Sequence, residues 1–217
     1  MQAARGATVA PPPQPAAPVL TAAHRRRLRG LFAVVALTGL VLDVVTKVVA
    51  VGQLEPGRPV PLLGGLLTLL LIRNPGAAFS TGEGITPVFA LAACAVLVFV
   101  VARLVPKLGH PAWSVALGLL SAGVAGNLVD RFARQPGPLR GHVVDFLQLP
   151  HWPIFNVADM CITAAAVLIM VLAVVKNVGI GGERYPRGAT PAQSAATAPS
   201  AGRAVVDDGP RREVEDA

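Results

Sequence analysis

Residues 31–51 read LFAVVALTGLVLDVVTKVVAV, an apolar run with one aspartate, Asp43, and one lysine, Lys47, set into its second half. A helix needs roughly 20 apolar residues to cross the hydrocarbon core of a bilayer, and this run is long enough. Three more runs follow, at about residues 88–105, 112–129 and 154–175. The pattern predicts an all-α membrane protein with four spanning helices. A shorter apolar stretch, residues 60–72, is broken by Gly64-Gly65 and followed by Asn74-Pro75-Gly76. It is too short to span and reads as strands or an interfacial fold lying on the membrane.

Composition points the same way. Of 217 residues, 53% are hydrophobic and 14% charged, with a mean hydropathy of +0.58; a soluble domain carries about 25% charged residues. The net charge of +7 is not a nucleic-acid signature, because the basic residues flank apolar runs and aromatics make only 5% of the chain. Cys94 and Cys161 each sit in an apolar run, with no second cysteine at metal-ligand spacing, and read as packing residues. Residues 1–23, rich in Ala, Pro and Gln, and residues 179–217, rich in Gly, Pro, Ser, Thr and charge, read as disordered tails. That leaves 24–178 as the membrane domain.

The first run is preceded by His24-Arg25-Arg26-Arg27-Leu28-Arg29 and contains Val48-Val49-Ala50, an imitation of a secretory signal with a cleavage site. A signal core is only about 7–15 residues. This run is a full span and carries Asp43 and Lys47, so it is read as retained. Positive residues then set the orientation. Arg25, Arg26, Arg27, Arg29, Arg103, Lys107, Lys176, Arg184 and Arg187 outnumber Arg58, Arg73, Arg131, Arg134 and Arg140 on the opposite loops. Both termini are expected in the cytoplasm, with loops 52–87 and 130–153 on the outer side.

Ionisable residues inside spans cost about 2.5–3.5 kcal/mol each on insertion scales and mark function by default. Asp43 and Lys47 stand at i and i+4 and share a face, as an ion pair that fixes packing or supports a site. In the third span Asn127, Asp130 and Arg131 share a face at its outer end, and Gly118, Ala122 and Gly126 form a small-residue seam for close helix contact. In the fourth span Asn156, Asp159 and Thr163 share a face, with Asp159 some 8 Å below the entry residue at about 1.5 Å per residue. The intervening loop sets one carboxylate, Asp145, in the apolar run Val143-Val144-Asp145-Phe146-Leu147. Two carboxylates held close cannot both ionise comfortably, so one keeps a proton while the other accepts one. Spacing alone leaves open whether Asp130 or Asp145 partners Asp159. Ser80, Ser114 and Ser121 lack a His or Lys partner at a plausible level, Lys47 excepted, and no metal or nucleotide motif occurs. A proton-relay or transport protein is the rival reading, but the polar groups gather in the outer half only.

Five stretches now stand in order: Asp43-Val44-Val45-Thr46-Lys47, Asn74-Pro75-Gly76-Ala77-Ala78-Phe79-Ser80, Gly126-Asn127-Leu128-Val129-Asp130-Arg131, Val143-Val144-Asp145-Phe146 and Phe155-Asn156-Val157-Ala158-Asp159. Together they resemble the lipoprotein signal peptidase (signal peptidase II) family over about residues 30–176. The resemblance implies that Asp145 and Asp159 are the catalytic pair of an aspartic protease. It implies that Asn74, Asn127, Arg131 and Asn156 line the substrate groove and that Asp43 and Lys47 support it. Asp130 is then structural, paired with Arg131 or nearby backbone. The family fold is four spanning helices with a small periplasmic β-cradle, for which residues 60–72 and the Asn74 loop are the candidates. The implied activity is removal of the signal peptide from diacylglyceryl-modified prolipoproteins, just before the lipidated cysteine, at the outer face of the bacterial inner membrane. No metal or cofactor is implied. Prolipoprotein signal peptides, membrane lipids and globomycin-type inhibitors are the implied partners, and the enzyme is expected to act as a monomer. The stretch 133–140, with Pro136 and Pro138, is longer than the family pattern and reads as a surface-loop insertion.

Overall fold

The computed structural model describes residues 21–76 and 86–184. The greater part of both predicted tails, and the Ala77-Ala78-Phe79-Ser80 half of the Asn74 stretch, lie outside the described residues.

Four helices are long and apolar enough to cross a membrane: α1 at Ala22–Gln53, α2 at Thr86–Lys107, α3 at Pro111–Ala133 and α4 at Val157–Val175. α1 starts inside the stretch read as tail, because the Thr21 hydroxyl accepts from the His24 N–H at 3.2 Å and caps the first turn. Its 32 residues span about 48 Å at about 1.5 Å each, well beyond a core of about 30 Å. The arginine-rich first turns therefore stand clear of the apolar span. Along α1 the side chains of Val34, Leu37, Val41, Val45, Val48 and Val49 are exposed, an apolar stripe suited to lipid. Thr46 lies on the same helix with its hydroxyl donated back to the Leu42 carbonyl at 2.7 Å, so the polar group needs no water.

α3 is the central helix and packs against α1, α2 and α4. The predicted seam is present, and it matches a second one on α1. A Cβ on Gly118 would meet Val35, one on Gly39 would meet Ala122, and one on Gly126 would meet Asp43. Lys47 reaches Asp130. Pairs advancing by four on both helices mean that α1 and α3 run parallel, side by side. On its other face α3 meets α4, where Gly123 lies against Ala158 and Ile162. Without side chains at these glycines the backbones approach closely, which is how helices associate in lipid.

At one end of the bundle sits a three-stranded antiparallel sheet in the order β1 (Val60–Leu62), β2 (Leu67–Asn74), β3 (Val143–Gln148). This realises the strand reading of residues 60–72. β3 lies against β2 with Ile72 opposite Asp145 and Asn74 opposite Val143. Val144 and Phe146 turn under the sheet onto Leu71 and Ala50, the latter near the end of α1. Burying such side chains is worth about 1.5–3 kcal/mol each, and this contact seats the sheet on the bundle.

Candidate active site

β-strand alternation aims the first candidate. Val144 and Phe146 face the cluster under the sheet, so Val143 and Asp145 face the opposite side. There they line a cavity of about 210 Å3 that Asp159 also lines. Asn74, Asn127 and Arg131 border the same space, together with Gly76 and Phe89.

Asp159 reaches the cavity from the start of α4. Phe155 is held extended by mutual bonds with Leu147, at 2.8 and 2.9 Å, so the helix cannot begin before Asn156. Asn156 caps it: the Asn156 side-chain oxygen accepts from the Asp159 N–H at 3.0 Å, and Asp159 Oδ2 accepts from the Asn156 N–H at 3.2 Å. This is a reciprocal capping box. The sequence reading put Asp159 some 8 Å down the helix; with the helix starting at Val157, Asp159 is in its first turn. That is about 4.5 Å past the cap at about 1.5 Å per residue, closer to the sheet than expected.

Three asparagines hold the two carboxylates, and two of them link the pair. Asn74 Nδ2 donates to Asp145 Oδ2 at 2.9 Å, and Asn156 Nδ2 donates to Asp145 Oδ1 at 2.6 Å. Asn127 Nδ2 donates to Asp159 Oδ1 at 2.9 Å, while Asn127 Oδ1 accepts from Asn156 Nδ2 at 3.3 Å. A chain Asp145–Asn156–Asn127–Asp159 thus links the two carboxylates. Asp145 is 2% exposed. Burial pushes its carboxyl up to about 6; the negative charge of Asp159 adds to the rise, and the Asn74 amide holds it down in part.

Asp130 takes no part in lining the cavity. It forms an ion pair with Lys47 Nζ at 2.9 Å and accepts from the Val144 N–H at 3.2 Å and from Arg134 Nε. Arg131, the expected ion partner of Asp130, instead donates Nη1 to the carbonyls of Asn74 at 3.2 Å and Gly141 at 2.9 Å. It points away along the helix face to tie β2 to the loop before β3. The nearby-backbone partner expected for Asp130 is present as Val144. Asp43 and Lys47 form the expected pair at 2.8 Å, buried at 0 and 1% exposure.

Arg134 enters the sequence only as a loop charge, although it stands at i+4 from Asp130 and so on the same helix face. Phe89 is not marked either, because an apolar side chain carries no chemistry in sequence, and Gly76 stands in the sequence only as part of the Asn74 stretch. The loop 133–140 folds back on itself, with the Arg140 N–H on Gly137 O at 3.0 Å and the His142 N–H on Gln135 O at 3.0 Å. It delivers β3 to the site without entering the cavity.

Residues 35–175 match a family model described as Signal peptidase (SPase) II. A lipoprotein signal peptidase of Mycobacterium avium is 53% identical over 151 residues, 69% of this chain and 81% of the relative. One from Rhodococcus jostii is 47% identical over 163 residues, 75% of this chain and 81% of the relative. Among solved structures, one described as a bacterial membrane enzyme superposes with a TM-score of 0.60 at 28% identity, covering 67% of this chain and 93% of that one.

Proposed function

Since the chain belongs to the signal peptidase II family, we propose that Asp145 and Asp159 act as one catalytic pair that cuts the signal peptide from lipid-modified prolipoproteins before the lipidated cysteine. The observation that carries this is the shared cavity: both carboxylates line it, joined through Asn156 and Asn127.

Asp145, the more buried of the two, holds the shared proton, and Asp159 accepts one from water. The water oxygen attacks the scissile carbonyl carbon while the Asp145 proton passes to the carbonyl oxygen, giving a neutral tetrahedral gem-diol. Asp159 then gives its proton to the departing amine of the cysteine as the C–N bond breaks, and Asp145 takes the proton of the gem-diol hydroxyl as the carbonyl re-forms. The pair returns to one proton, and atoms balance without a metal. Asn74 and Asn156 hold Asp145 from opposite oxygens, and Arg131 keeps Asn74 in place through its carbonyl.

The substrate's lipid and its spanning signal peptide require a site at a membrane surface that is open to water. The excess of arginine and lysine at the other end of the bundle supports an outer-face site, both termini in the cytoplasm and residence in the bacterial inner membrane. Among the described residues the buried charges are Asp43, Lys47, Asp130 and Asp145, all at the sheet end. A through-membrane proton path would need such groups along the whole bundle. Membrane lipids and a globomycin-type cyclic peptide are the further ligands of this reading, and a monomer suffices for it.

The test is cleavage of a synthetic diacylglyceryl-modified signal peptide by purified protein. Asp145→Asn and Asp159→Asn should each lower turnover about a thousandfold or more, the range of essential acid–base groups. Wild-type turnover in both would sink the reading.

A further inference from the structure

Lys47 sits at the foot of the site without touching the cavity. Its ammonium forms ion pairs with Asp43 Oδ2 at 2.8 Å and Asp130 Oδ2 at 2.9 Å, and donates to Asn127 Oδ1 at 3.1 Å. Each of these partners leads to the reacting pair. Asp43 Oδ1 accepts from the Ala158 N–H at 2.8 Å, and Ala158 precedes Asp159. Asp130 Oδ2 accepts from the Val144 N–H at 3.2 Å, and Val144 precedes Asp145. Asn127 donates directly to Asp159 Oδ1 at 2.9 Å.

We propose that Lys47 is a positioning residue: with Asp43 and Asp130 it forms a buried clamp that grips the backbone next to each catalytic aspartate and so sets their separation. The proposal rests on the reading of Asp145 and Asp159 as the reacting pair. Three further observations carry it. The two elements that bear the aspartates, β3 and α4, are attached at these points by carboxylates of α1 and α3. The seam of Val35, Gly39, Asp43 and Lys47 against Gly118, Ala122, Gly126 and Asp130 fixes those carboxylates in register. The charges also balance, since Asp43 and Asp130 are met by Lys47 and Arg134. Desolvating Asp43, Lys47 and Asp130 is costly and is rarely the best route to stability, whereas a hydrophobic core of the same volume does as well or better. What the ionic arrangement supplies is direction at two backbone N–H groups.

Asp43→Asn/Lys47→Met tests the clamp. The change removes one charge of each sign, keeps an oxygen for the Ala158 N–H and leaves Asp130 paired with Arg134, but it abolishes the bridge. In the purified chain, with the lipidated signal peptide as substrate, kcat should fall about thirtyfold to a hundredfold, the scale of a misplacement near 1 Å. KM should stay within about threefold, because uniform binding is untouched. A folded double variant with wild-type kcat overturns the clamp. Asp130→Asn is the second arm for the case in which the double variant does not fold. It keeps an acceptor for Val144, loses the Lys47 ion pair and frees only the partly exposed Arg134. The same split of kcat from KM is expected, and wild-type kcat again overturns the clamp. Asp145→Asn and Asp159→Asn separate the two ideas. If they are inactive while the clamp variants are wild type, the clamp alone fails; if they are active, the catalytic reading fails first.

Discussion

Asn156 donates its side-chain amide to Asp145 at 2.6 Å while its side-chain oxygen accepts from the Asp159 N–H at 3.0 Å. One residue is thus both the cap of α4 and a holder of Asp145. Asn156→Ser separates these jobs. Serine is a good N-cap, so stability should drop by no more than about 1–2 kcal/mol. Its hydroxyl is too short to reach Asp145 as well, and an acid left free to shift by about 1 Å costs about 10-fold to 100-fold in kcat. Denaturant unfolding and initial rates check the two halves. An equal loss of both would mean that Asn156 serves folding only.

The raised Asp145 carboxyl gives activity an alkaline limit. With its value at about 6, the proton required for polarising the carbonyl leaves as the pH rises past that point. The kcat/KM profile, which reports the free enzyme, should therefore fall above about 6. Asn74 favours the ionised form by donating to Asp145 Oδ2. Asn74→Leu should move the falling limb to higher pH, even though the maximum rate is lower. A limb that stays in place, with chemistry shown to be rate-limiting, would argue against Asp145 as the proton holder.

The same shift has a consequence for stability, and its sign is fixed. A carboxyl at about 6 in the folded chain and 3.8 in the unfolded one binds its proton more tightly when folded. Its contribution is full below 3.8 and is lost as the pH rises through about 6. Asp145→Asn cannot titrate. The difference in unfolding free energy, wild type minus variant, should therefore become more unfavourable to the wild type between pH 4 and pH 7, and then level off. A pH-independent difference would mean that Asp145 is not perturbed by its surroundings.

The spans, the seam and the polar faces were legible in the sequence because lipid enforces simple rules. Apolar length marks a span, small residues four apart mark close contact, and a charge in a span must have a partner. Asp43 and Lys47 announced each other in this way, as did Gly118, Ala122 and Gly126. Spacing could not say which aspartate meets Asp159, because Asp145 approaches through the alternation of a strand whose underside rests on Leu71 and Ala50. Nor could it show Lys47 reaching Asp130, a contact that depends on α1 and α3 being parallel and in register. Arg131 looked like the partner of Asp130 for the same reason. Chain neighbours are visible in sequence, while carbonyls of Asn74 and Gly141 brought in by the sheet are not.

Two glycine substitutions should have opposite effects, and together they test whether the seam positions the site. A Cβ on Gly126 would lie 2.9 Å from Asp43 Cγ and 3.2 Å from Ala158 Cβ, wedged where α1, α3 and α4 meet. Overpacking of that kind costs about 1–3 kcal/mol. The atoms displaced are the carboxylate that holds the Ala158 N–H and the residue next to Asp159. Gly126→Ala should therefore lose more activity than its stability loss explains, with kcat down about 10-fold or more in the fraction that remains folded. Gly30 also lies within a helix, but nothing comes within 4 Å of an added Cβ there. Gly30→Ala should stabilise α1 by about 0.5–1 kcal/mol through helix propensity alone and leave kcat unchanged. Unfolding curves and rates measured side by side on the two variants decide the matter. If Gly126→Ala turned over like Gly30→Ala, close approach of α1 to α3 would have no part in placing the carboxylates.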